Sequence, residues 1–271
     1  MKKFSILIST RNRVNLLSQS LKSISVNTKN KKSLEVLIAV DKDDLNSINF
    51  IQKSLKKFSF SIKIIISPRG AGYKDNPKRL KKLIKISSGE VFIYFADDFL
   101  INTKDWDIQL QKQINRLPDD GVYLISPKHY QENQNWPLCQ IISRKWYNIT
   151  KKFSNCYETD TELMIISTSI DRYFICNKFK IKVNHISRND LTFLEGRKKL
   201  LDKKNYDGSV NSFKSFIKVL IDLNKIKTVL NKYNNVQSLI SLNKIFFITS
   251  IKIIFKFKIN ILKSFYKNDY L

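Results

Sequence analysis

The chain has 271 residues, 42% hydrophobic and 12% aromatic, which excludes a disordered polymer and allows one catalytic-size domain plus an appendage. Its formal charge of +26 implies a polyanionic neighbour: nucleic acid, an anionic membrane surface or a phosphorylated substrate. Lys far outnumbers Arg, which favours diffuse attraction over planar recognition of bases.

The first ten residues have a basic start and an apolar run, but the run is too short for a signal peptide and Arg11 and Arg13 follow at once. Phe4–Ser9 therefore reads as a buried strand, and residues 10–13 as a polar turn. Apolar residues at 14, 17, 21 and 24 predict a helix over 14–26. Leu34–Val40 is a second buried strand ending on Asp41, 48–58 a helix and 61–66 a third strand. A loop with two glycines and a proline (69–78) leads into a helix over 79–86. Val91–Phe95 is an unbroken apolar run that ends in two adjacent carboxylates, Asp97 and Asp98.

This alternation of strand and helix predicts a parallel sheet flanked by helices. Right-handed crossovers then bring the ends of strands one, two and four to one rim. Thr10, Arg11, Asp41, Asp97 and Asp98 should meet there, in the crevice where open α/β sheets bind ligands. Two neighbouring acids repel each other and lose solvation. A divalent cation carrying a diphosphate would offset that cost, because Mg²⁺ is typically held by one or two carboxylates plus phosphate oxygens; a hydrated polar loop is the plainer reading.

Beyond Trp106 the pattern becomes mixed. A helix is expected over 108–117 and strands over 121–126 and 139–143, with a polar aromatic loop (129–137) between them. A short helix over 145–153 precedes the acidic segment 158–162, a helix over 163–169 follows it, and a strand over 173–183 leads to His185. Cys139, Cys156 and Cys176 match neither a zinc pattern nor a disulfide framework, which fits a reduced cytosolic setting. After Gly208 the chain has no Glu and many Lys. From Lys252, polar residues at 252, 256, 260, 263 and 267 line one side of a wide apolar face. That is the pattern of an interfacial amphipathic helix or of a C-terminal helix packed on the domain. No uninterrupted apolar stretch is long enough to span a membrane.

The segments Phe-Ser-Ile-Leu-Ile-Ser-Thr-Arg-Asn-Arg (4–13), Glu-Val-Leu-Ile-Ala-Val-Asp (35–41), Ser-Ser-Gly-Glu-Val-Phe-Ile-Tyr-Phe-Ala-Asp-Asp (87–98) and the loop 69–79 together resemble the nucleotide-sugar-binding half of family 2 glycosyltransferases, in order and approximate spacing. The resemblance covers roughly the first 110 residues. It implies a GT-A (Rossmann-like) α/β fold over 1–205, with a donor-binding half (1–110) and an acceptor-binding half (111–205); the Lys-rich composition of the remainder marks 206–271 as a basic helical extension. Thr10 and Arg11 would line the nucleotide base pocket and Asp41 would accept a hydrogen bond from the base. Asp97 would face the ribose or sugar, and Asp98 would hold Mg²⁺ or Mn²⁺ bridging the diphosphate, with Lys74, Lys78 or Arg79 adding positive charge. The catalytic base falls in the acidic segment, as Asp160 or Glu162, and His185 would complete the metal shell. His129, Trp136 and Trp146 are candidates for an acceptor pocket. The implied activity is transfer of one sugar, with inversion, from a nucleotide diphosphate sugar (a UDP-sugar foremost) to a glycan or lipid-linked acceptor in surface polysaccharide or lipopolysaccharide assembly. The expected setting is the cytoplasm or the inner membrane face.

The metal motif is Ala-Asp-Asp rather than the fuller Asp-x-Asp, so the division of labour within the pair stays open. A processive Arg/Gln-rich motif is not visible, which favours single transfer. Two other classes compete. A nucleotidyltransferase should carry a Gly-rich phosphate loop after strand one, and residues 10–15 contain no glycine. A nucleic-acid-binding protein should carry an Arg-rich groove or basic residues interleaved with aromatics on a sheet face.

Overall fold

The computed structural model describes residues 2–70, 72–129, 136–156, 158–183 and 213–233. Met1–Ile226 forms one compact unit and Lys227–Leu271 a second, whose described residues, 227–233, are helical. His185 and most of the basic extension, including the expected amphipathic helix from Lys252, lie outside the described residues.

The first unit is built on an eight-stranded sheet. Its strands are β1 (Phe4–Thr10), β2 (Leu34–Asp41), β3 (Ser61–Ser67), β4 (Val91–Tyr94), β5 (Phe99–Ile101), β6 (Leu124–Lys128), β7 (Gln140–Ser143) and β8 (Tyr173–Val183), in the order β3-β2-β1-β4-β7-β6-β8-β5. The pairs β1–β2, β2–β3, β1–β4 and β6–β8 are parallel, while β7 runs antiparallel to both β4 and β6, and β5 to β8. The helices are α1 (Val14–Asn27), α2 (Leu45–Ser54), α3 (Asn76–Ile86), α4 (Trp106–Ile114), α5 (Arg144–Thr150), α6 (Thr159–Ser169) and α7 (Phe213–Tyr233). The result is a mostly parallel sheet flanked by helices, the GT-A arrangement expected from the sequence.

β2 is buried along its whole length and β1 almost so, because both are interior strands with parallel neighbours. α1 buries Leu16, Leu17, Leu21 and Ile24. Trp106 anchors the far side of the core: its ring stacks on Phe179 at 5.0 Å, and its indole N–H donates to Thr28 Oγ1 at 2.8 Å. The strand order reverses between β1 and β4, so their C-terminal ends frame the crevice that such sheets use for ligands.

The opposite rim carries a buried carboxylate. Glu35 is fully buried and accepts hydrogen bonds from Ser5 Oγ (2.7 Å), Lys63 Nζ (2.9 Å), and the backbone N–H groups of Ser88 (2.6 Å) and Gly89 (3.1 Å). Burial opposes its ionisation, but the bonds from Ser5, Lys63 and Ser88 outweigh burial and hold its pKa down to about 2. This cluster locks the turn before β4, which carries the acid pair at its other end.

α7 is fixed by Asp222, which is buried and accepts from Asn155 Nδ2 at 2.9 Å, with Lys152 Nζ at 3.2 Å. Among the described residues, no helix is long and apolar enough to cross a membrane.

Candidate active site

Three loops leave the C-terminal ends of β1, β2 and β4, and side-chain hydrogen bonds lace them together. Asn12 takes the left-handed conformation (φ 53°), and its N–H donates to Asp44 Oδ2 at 2.7 Å. The other oxygen of Asp44 accepts from Ser47 N at 3.1 Å, so one buried acid caps α2 and holds the β1 turn. At the third corner, buried Asn76 at the start of α3 accepts from Ser9 Oγ (3.2 Å) and donates to Tyr94 OH (2.8 Å).

The charged groups sit inside this frame. Arg11 Nη1 donates to Asp41 Oδ2 at 3.0 Å and to Asp43 Oδ1 at 2.6 Å, while Nη2 donates to Asp43 Oδ2 at 2.9 Å. The other oxygen of Asp41 accepts from Arg79 Nη2. Asp41 is only 2% exposed and therefore lies between two guanidinium groups. Asp43 is half-exposed. The hydrogen bond to Asp43 raises the pKa of Arg11 further above its ordinary value, against the effect of burial.

The acid pair faces the β1 turn. Thr10 Oγ1 donates to Asp97 Oδ2 at 2.8 Å, and Arg13 Nη1 donates to Asp97 Oδ1 at 2.9 Å. The same Arg13 nitrogen lies 3.7 Å from Asp98 Oδ2. Both acids are buried. Burial pushes the Asp97 carboxyl up to about 6, and the neighbouring Asp98 charge adds to that rise; Arg13 and Thr10 oppose it.

Asp160 reaches the same rim by a different route. β7 is antiparallel to β4 with Gln140 opposite Tyr94, so β7 begins where β4 ends. Gln140 Oε1 accepts from Thr159 Oγ1 at 2.9 Å, which draws the N-terminus of α6 to that rim. Trp136 Nε1 donates to Asp160 Oδ2 at 2.8 Å, and Thr161 N donates to Oδ1 at 2.8 Å. Glu162, two residues on, points inward. It is 1% exposed and accepts from Asn155 N (2.7 Å), Asn155 Nδ2 and Cys156 N (3.0 Å). Burial pushes its carboxyl pKa up, and the Asn155 bonds oppose that shift.

The structure therefore brings Thr10, Arg11, Asp41, Arg79, Asp97 and Asp98 to one crevice, places Asp160 on its rim, and spends Glu162 on the 154–156 turn. Trp146 is fully buried in the core, and so is His129, whose Nε2 lies 2.7 Å from the Trp136 carbonyl oxygen. Of the three aromatic acceptor candidates only Trp136 retains exposure at the rim. Lys78 is 80% exposed and paired with Asp75, so it faces solvent. Sequence reasoning did not single out Arg13, Asp43, Asp44, Asn76 or Tyr94. The Arg-Asn-Arg triplet was the one available signal for Arg13. Among the described residues no cluster of three or more His, Cys, Asp or Glu side chains could hold a metal unaided. A cation at Asp97 and Asp98 would need further oxygens from a ligand.

Residues 5–180 match the family model described as "Glycosyl transferase family 2". No curated protein matches the chain in sequence. Among solved structures, the fold is similar to the mannosyltransferase PcManGT from Pyrobaculum calidifontis in complex with GDP-Man and Mn²⁺, with TM-score 0.60, 12% identity, and 84% of this chain and 70% of that one covered. It is also similar to S. aureus TarS 1-349 in complex with UDP-GlcNAc, with TM-score 0.52, 12% identity, and 84% and 81% covered. Glucosyl-3-phosphoglycerate synthase from Mycobacterium tuberculosis matches with TM-score 0.50 and 12% identity over 73% of this chain and 77% of that one. With the family model spanning the sheet and every loop of the crevice, the chain belongs to glycosyl transferase family 2 and is a GT-A glycosyltransferase.

Proposed function

We propose that the protein transfers one sugar from a UDP-sugar, with inversion and with a divalent cation, to a hydroxyl of a glycan or lipid-linked acceptor. The observation that carries this reading is the convergence of the Asp97–Asp98 pair, the Arg11–Asp41–Arg79 row and Asp160 on the rim around the β1/β4 switch point.

The row supports the choice of base. Two guanidinium groups flanking one carboxylate offer donor, acceptor, donor. Uracil presents carbonyl, N–H, carbonyl, which is the complement, whereas guanine would set its amino group against a guanidinium. Arg11 has Asp43 as a second partner, so it can release Asp41 Oδ2 to the base N–H without becoming unpaired. Thr10 and Asp97 would hold the ribose or sugar side of the donor.

The acid pair fits Mg²⁺ or Mn²⁺. Both ligands are hard carboxylate oxygens, both are buried, and they stand side by side at the end of β4. Asp98 would be the principal ligand, with diphosphate oxygens filling the remaining positions. His185 remains the candidate for a further ligand. When bound, the cation supplies Lewis-acid stabilisation of the departing nucleoside diphosphate.

Asp160 is the proposed base. It takes the acceptor hydroxyl proton as that oxygen bonds to the anomeric carbon, and the bond from that carbon to the phosphate oxygen breaks with its electron pair leaving on the diphosphate. One displacement inverts the anomeric configuration. Trp136 and Thr161 fix the Asp160 oxygens, and the engagement of Glu162 by Asn155 and Cys156 supports Asp160 over it. The excess of Lys and the apolar C-terminal segment favour an acceptor on an anionic membrane surface, in surface-glycan assembly.

The test pairs a nucleotide panel with one variant. UDP should raise the melting temperature more than GDP, CDP or ADP in the presence of Mn²⁺. Asp160→Asn should retain that shift while turnover falls by about 10² or more. Full turnover in Asp160→Asn would return the assignment of the base to Glu162, and equal shifts for all four nucleotides would remove the base assignment.

A further inference from the structure

We infer that Arg13 is the built-in counter-ion of the acid pair in the donor-free protein, and that it exchanges from the carboxylates to the donor diphosphate when the cation enters. The inference rests on the metal-dependent reading above and assigns a role to a residue that reading does not use.

The geometry is specific. A single nitrogen, Arg13 Nη1, lies 2.9 Å from Asp97 Oδ1 and 3.7 Å from Asp98 Oδ2, between the two carboxylates. A cation held by Asp97 and Asp98 would compete with this guanidinium for the same oxygens. Both acids are 5% exposed or less, and Arg13 sets a positive charge against the pair from within the protein. Thr10 supplies Asp97 with a neutral hydrogen bond that no arriving cation need disturb.

Arg13 is also placed to move. It sits in the turn after β1, immediately before α1, with 17% of its side chain exposed, and the Asn12–Asp44 hydrogen bond gives that turn a hold independent of the Arg13 guanidinium. A guanidinium released from the carboxylates stays within the same crevice, where a diphosphate offers oxygens suited to a planar fork. Exchange makes cation and donor binding interdependent. The cation alone must displace a buried ion pair, whereas cation and diphosphate together give Arg13 a new anionic partner.

Two ligands should then respond in opposite directions to loss of the charge. In Arg13→Gln, Mn²⁺ without nucleotide should bind about tenfold more tightly, because a competing charge of like sign is gone, and UDP in saturating Mn²⁺ about tenfold more weakly, because a close charge of opposite sign is gone. Paramagnetic resonance of free Mn²⁺ and calorimetric titration of UDP read the two arms. Arg13→Lys, which keeps the charge, should restore UDP affinity and serves as the folding-independent control. UDP affinity that ignores Mn²⁺ in the unsubstituted chain would remove the metal reading, and the exchange with it. If Mn²⁺ strengthens UDP binding in the unsubstituted chain but binds folded Arg13→Gln no more tightly on its own, the metal reading stands and the role of Arg13 is overturned.

Discussion

Replacing Trp136 by Phe removes one N–H and leaves the ring in place. That N–H donates at 2.8 Å to Asp160 Oδ2, the oxygen not engaged by the Thr161 backbone. A hydrogen bond to a charged acceptor contributes about 1.5–3 kcal/mol, and because Trp136 and Asp160 are both partly solvated the lower end applies. A loss of about 1.5 kcal/mol felt in the transition state is roughly tenfold in kcat. Donor KM should stay unchanged, since the deleted N–H serves Asp160 and not the Arg11–Asp41–Arg79 row. The assay is a double-mutant cycle on initial rates. Trp136→Phe should cost about tenfold in the native background and almost nothing once Asp160→Asn is present, because the bond acts only through that carboxylate. Equal losses in both backgrounds would refute the reasoning, as would a loss confined to donor KM.

The remaining predictions separate scaffold from site. The folded pKa of Glu35 lies below the ordinary carboxylate value, so its stabilisation is complete above about pH 4.3 and is lost as pH falls through about 2. Glu35→Gln should therefore be less stable than the native chain at pH 7 by about 2 kcal/mol, after allowing for screening of half-exposed Lys63, and the gap should close on acidification. Urea melts that stay parallel between pH 5 and 2 would contradict the assignment. A Cβ at Gly89 would lie 2.2 Å from Ser5 Oγ and 2.9 Å from Ser5 N, so Gly89→Ala should cost about 1–3 kcal/mol in denaturant melts, and an unchanged midpoint would count against the packing described. Glu162→Ala orphans the Asn155 and Cys156 N–H groups and should lower stability by about 2 kcal/mol while kcat of the folded fraction is kept. A kcat loss with full stability would restore Glu162 as a catalytic candidate.

Much of the donor half was legible because burial on both faces leaves an unmistakable apolar run. β1, β2 and β4 appear where Phe4–Ser9, Leu34–Val40 and Val91–Phe95 predict them, and right-handed connection put their acids on one rim. The start of α2 was not legible. Asp44 caps it and Leu45 within it is 65% exposed, so an apolar period starts the helix three residues late. β5 is only three residues long and pairs with β8, a strand more than seventy residues away, so no local period marks it. The antiparallel direction of β7 is likewise a tertiary fact, and it decides how Asp160 reaches the rim. Asp160 and Glu162 are chemically equivalent in the sequence. They differ only because one points to Trp136 and the other to buried backbone donors. Trp146 shows the reverse limitation, since an aromatic near a site reads the same whether it faces a sugar or the core.

The most direct test of the central claim is an anomalous difference map from crystals grown with UDP and Mn²⁺. The account predicts one strong manganese peak coordinated by Asp98 and by oxygens of both phosphates, with the uracil edge on Asp41 and Arg13 turned towards the diphosphate. A nucleotide bound away from the β1/β4 crevice, or a diphosphate held there by side chains with Mn²⁺ elsewhere, would contradict it.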